Sequence, residues 1–67
     1  MANKEAKLYA EHLVSKHMNY IKKSITNGDE VETIVLHILD KENMKYMAVY
    51  EMADEMDAII LDMASKM

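Results

Sequence analysis

From Val49 to the last residue, apolar side chains return at steps of three and four. Met52, Ala53, Met56, Ile59, Ile60, Met63 and Met67 therefore stack along one side of an α-helix. Glu51, Asp54, Glu55 and Asp62 fall on the opposite side. The periodic stretch runs from Asn43 to Met67 without Gly or Pro, so nothing local stops a helix there. The whole chain shares this lack of punctuation. It has one Gly, no Pro and no Phe or Trp, which directs it to an all-α fold.

Two earlier segments follow the same period. Asn3 to Ile25 reads as a first helix whose inner side is Ala6, Ala10, Leu13, Val14, Met18, Ile21 and Ile25, with His17 projecting to the same side. Leu8, His12, Lys16 and Lys23 lie on its far side, and Tyr9 and Tyr20 sit at the border. A second helix runs from about Glu30 to Leu39, with Val31, Ile34, Val35, Ile38 and Leu39 inward. The β-branched residues of that segment also suit a strand. No second strand is available to pair with it, so the helix is preferred.

Between these helices Thr26-Asn27-Gly28-Asp29 is the one clear turn, with Gly28 supplying the left-handed conformation that ends many helices. Asp29 with Glu32 resembles a capping box for the helix that follows. The segment Asp40-Lys41-Glu42-Asn43 allows two architectures. Asp40 or Asn43 can cap a new helix, giving a small three-helix bundle. Alternatively the second and last helices run together as one long arm of a helical hairpin.

Sixty-seven residues make one helical domain spanning 1–67. A core of this size supplies roughly 3–5 kcal/mol. Cys is absent, which excludes disulfides and thiolate metal sites as reinforcement. Self-association takes their place in this reading. On the last helix Tyr46, Tyr50, Leu61 and Ala64, with Asp57 among them, widen the apolar arc to roughly 200°, against ~100° for an ordinary surface helix. A second copy is expected to cover part of that arc, making a homodimer or larger.

Charge narrows the function classes. The net charge is −4, and it is unevenly spread. Asn3 to Gly28 holds five Lys against two Glu, whereas the rest is strongly acidic. With no Arg and only scattered Lys, direct nucleic-acid binding is not expected. The longest apolar run is far below the ~20 residues that span a bilayer. The polar start, Met1-Ala2-Asn3-Lys4-Glu5, lacks the apolar stretch of a signal peptide, so a cytoplasmic setting is the expectation.

The candidate chemistry is that of binding, not catalysis. His37 and Asp40 at i, i+3 have no nucleophile or pocket-forming loop beside them, and no enzyme is expected. His12 and His17 point to different sides, and Glu51 with Glu55 lacks a His partner, so neither a metal nor a cofactor is expected. The acids of the last helix form a one-signed surface. The concrete reading is a small acidic protein that binds and inhibits a larger basic protein, one that otherwise holds nucleic acid, as phage or mobile-element products do. Tyr46, Tyr50, Glu51, Asp54, Glu55 and Asp62 are the expected contacts. The alternatives are a subunit that only assembles with itself, or a protein that sequesters a small anion such as a nucleotide. In the last case Lys22, Lys23 and Thr26, beside Ser24 and the start of the next helix, would hold the anion.

Overall fold

The left-handed turn at Gly28 (φ 89°) and a second one at Asn43 (φ 60°) divide the chain into its packing units. A computed structural model describes residues 4–67, and every regular element among them is helical. They are α1 (Lys4–Lys16), α2 (Met18–Thr26), α3 (Val31–Lys41), a one-turn 3-10 segment (Tyr46–Ala48) and α4 (Tyr50–Lys66). The expectation of an all-α chain holds. Asn3, expected to open the first helix, lies outside the described residues.

Both left-handed positions close a helix in the same manner. At the end of α2 the Gly28 N–H donates to the Ile25 carbonyl and the Asp29 N–H to that of Ser24, each at 3.0 Å. At the end of α3 the Asn43 N–H donates to Asp40 (3.0 Å) and the Met44 N–H to Leu39 (2.9 Å). This paired arrangement satisfies carbonyls that a helix end leaves without partners. Asn is among the few side-chain-bearing residues that enter the left-handed region readily.

Four expectations are corrected. The first helix is not continuous to Ile25. It bends at His17 (φ −107°, ψ 25°), while the His17 N–H still donates to Leu13 and the Ile21 N–H to His17. Asp29 does not make a capping box, because α3 starts one residue later with Glu30 at its N-cap and no side-chain cap bond. Asn43 ends α3 instead of starting the last helix, which rules out the single long arm. Finally, α4 begins at Tyr50. The chain must first reverse through extended Lys45 and the 3-10 turn, so Tyr46 lies outside α4.

The core joins Ala10, Leu13 and Val14 of α1, Ile21 of α2, Ile34, Val35, Ile38 and Leu39 of α3, and Met52, Ala53, Met56 and Ile60 of α4. α4 packs most extensively on α1, then on α3. Its stripe is thus covered within one chain, with Ile59 and Met63 half-buried and only Met67 left exposed. The radius of gyration, 11.1 Å, equals the roughly 11 Å of a compact domain of this length. Among the described residues no helix is long and apolar enough to cross a membrane. Around α4, one chain leaves uncovered the flank carrying Tyr46, Tyr50 and Leu61, each more than two-fifths exposed, and Met47 in the turn before it.

Candidate functional site: an acid-rimmed groove between α3 and α4

Helical spacing builds both walls of a groove between α3 and α4. Glu32, Val35 and Leu36, at i, i+3 and i+4, come from α3. Ala53, Asp54 and Asp57, at i, i+1 and i+4, come from α4, and Tyr46 of the 3-10 turn completes the lining. Its volume is about 290 Å³, open to solvent on one side. That lies at the lower limit for small-molecule pockets and suits one or two side chains of a partner. Val35 and Ala53 are buried beneath, while Leu36 (45% exposed) and Tyr46 (42%) stand open to solvent.

The charged groups of this groove are all of one sign. Glu32, Asp54 and Asp57 contribute carboxylates, and no Lys lines it. An apolar floor beside carboxylates favours a ligand that brings cationic groups with an apolar anchor. Among the described residues no three His, Asp or Glu side chains gather closely enough to hold a metal ion.

A second groove, about 410 Å³, lies between α1 and the start of α4. Ala6, Tyr9, Ala48, Val49, Tyr50, Glu51 and Met52 line it. The expected contact residues are thereby separated. Tyr46 and Asp54 share the first groove, whereas Tyr50 and Glu51 line the second. Glu55 is half-buried on the other flank of α4. Asp62 is exposed but paired, its carboxylate 3.1 Å from the Lys66 Nζ one turn on. Glu32, Leu36 and Asp57, which the sequence reading did not place among the contacts, join the site. Only the packing angle of α3 on α4 brings them there, and no local spacing encodes it.

The candidate anion residues Lys22, Lys23 and Thr26 are exposed at the carboxyl end of α2, and Ser24 is buried. The carbonyls of a helix end repel an anion, and acidic Asp29 and Glu30 follow.

All three histidines make a contact, that of His12 being a stack on Tyr9 with ring centroids 6.1 Å apart. The His37 ring stacks on Tyr20 (centroids 4.6 Å apart, 26° between planes) and does not pair with Asp40. His17 Nε2 donates to Glu42 Oε2 at 2.7 Å, and Lys16 Nζ approaches the same oxygen at 2.9 Å. The hydrogen bond from His17, then that from Lys16, holds the Glu42 carboxyl below the usual carboxylate range. This cluster ties the bend between α1 and α2 to the end of α3.

Compared with known protein families, with curated proteins and with solved structures, the chain matches none.

Proposed function

We propose that the chain is a non-catalytic docking protein. Its groove between α3 and α4, with the adjoining acidic side of α4, holds a larger basic protein and inhibits it by covering a surface that otherwise meets nucleic acid. The observation that carries this reading is the lining itself: three carboxylates around a buried apolar floor, with Leu36 and Tyr46 already exposed. An exposed apolar rim beside charge of one sign is the composition of an interaction site. Assembly of the chain with itself belongs to the same reading, because Leu61 and Tyr50 extend the exposed flank along α4. A cytoplasmic setting and a mobile-element origin rest on composition alone.

The test removes the apolar half of the groove. A tagged Leu36→Ser/Tyr46→Ser variant and the wild-type protein are recovered from the native host, and bound proteins are quantified by mass spectrometry. The variant should retain its helical circular dichroism and lose the partner that the wild type captures. Equal recovery of the same partner by a folded variant refutes the groove as the docking site.

A further inference from the structure

We infer that the groove between α3 and α4 also receives the outward side of α1 from a second copy of this chain. The inference rests on the self-assembly named above and identifies the two surfaces that meet. Lys4, Lys7 and Leu8 are all exposed on α1, and Leu8 is 61% exposed. Their i, i+3, i+4 spacing puts one apolar side chain beside two ammonium groups on one side of the helix. Among the described residues neither Lys4 nor Lys7 takes part in an ion pair.

The groove offers the complement. Leu8 of the second copy sits over Val35 and Ala53, beside Leu36 and Tyr46. Lys4 and Lys7 face the carboxylates of Glu32, Asp54 and Asp57. The groove runs between two packed helices, so a third helix is the shape that fits it. Glu11, one turn beyond Lys7, is repelled by the same carboxylates. That restricts the contact to the first two turns of α1. Unlike surfaces meet in this contact, so one copy can seat another at each end, in a ring or in an open series. So short and charge-dependent a contact is weak. It yields to a more basic partner and is screened by salt.

Molar mass by light scattering tests this with the purified chain alone. At millimolar-range protein and about 20 mM salt, where screening is slight, the wild-type mass should exceed the 7.8 kDa of one chain. It should return to one chain at about 500 mM salt. Glu32→Lys/Asp54→Lys and Lys4→Glu/Lys7→Glu should each stay at one chain in low salt, with unchanged helical circular dichroism. Mixed in equal amounts, they should assemble again, because every face then meets its opposite charge. Leu8→Ser, which alters no charge, should also lower the mass. A wild-type mass of one chain under all conditions overturns both this inference and self-assembly. A larger mass that survives the charge reversals, or a mixture that fails to recover assembly, overturns the α1-in-groove contact and leaves self-assembly through another surface.

Discussion

His17 Nε2 lies 2.7 Å from Glu42 Oε2, a contact that spans 25 positions of sequence and is half-sheltered from solvent. Lys16 reaches the same oxygen. One carboxylate thus receives two donors from the junction of α1 and α2 while its own backbone ends α3. Glu42→Gln should lower the melting temperature at neutral pH by weakening both contacts. The sign of the pH dependence follows from the depressed Glu42 carboxyl. Its stabilising effect is complete above the ordinary carboxylate value and is lost as pH falls through the lower folded-state value. Melting temperatures of the two proteins should therefore converge as the solution is acidified. Curves that stay parallel down to acid pH would show that ionised Glu42 is not what distinguishes them.

At the two left-handed turns, Gly and Ala substitutions should have opposite effects. Asn43→Gly should be neutral or slightly stabilising, because Gly meets no penalty at φ 60°. Asn43→Ala and Gly28→Ala should each cost about 1–2 kcal/mol. At Gly28 the cost is wholly that of the backbone, since a Cβ there meets nothing within 4 Å. Urea denaturation measures each value, and an Asn43→Gly loss as large as that of Asn43→Ala would contradict the closing geometry.

Adjacent residues of α4 should differ sharply. Ile60 is fully buried among the other helices, and Leu61 is 54% exposed on the open flank. Ile60→Ala should cost about 2–5 kcal/mol, which is most of the stability of so small a core. Leu61→Ala should stay within about 0.5 kcal/mol, provided the sample is dilute and monomeric. Similar losses at both positions would mean that α4 is packed in another rotation.

Much of this fold is legible in the sequence, for identifiable reasons. The stripe of Met52, Ala53, Met56 and Ile60 and that of Ile34, Val35, Ile38 and Leu39 follow from period alone. Gly28 marks its turn because few other residues take its φ. Asn43 reads equally well as a helix start or a helix stop, since Asn serves both, and only the return of the chain decides between them. The bend at His17 carries no Pro or Gly signal, and its partner Glu42 is remote in sequence. The groove is half-legible. Tyr46 and Asp54 are visible as exposed members of the acidic, aromatic side. Glu32, Leu36 and Asp57 join them through the docking of α3 on α4. The breadth of the apolar arc overstates what a single chain leaves bare, because α1 and α3 together cover the stripe as far as Met63 and leave open the Tyr46, Tyr50 and Leu61 flank.

In the proposed docking, location and not bulk acidity selects the partner. The direct measurement compares two doubly reversed variants of equal net charge in quantitative capture from the native host. One is Glu32→Lys/Asp54→Lys, in the groove. The other is Asp29→Lys/Asp40→Lys, at exposed positions outside both the groove and the α1 contact. The groove variant should lose the captured partner and the control should keep it, both with wild-type circular dichroism. Equal loss from both variants, or retention by the groove variant, would show that the groove does not direct docking.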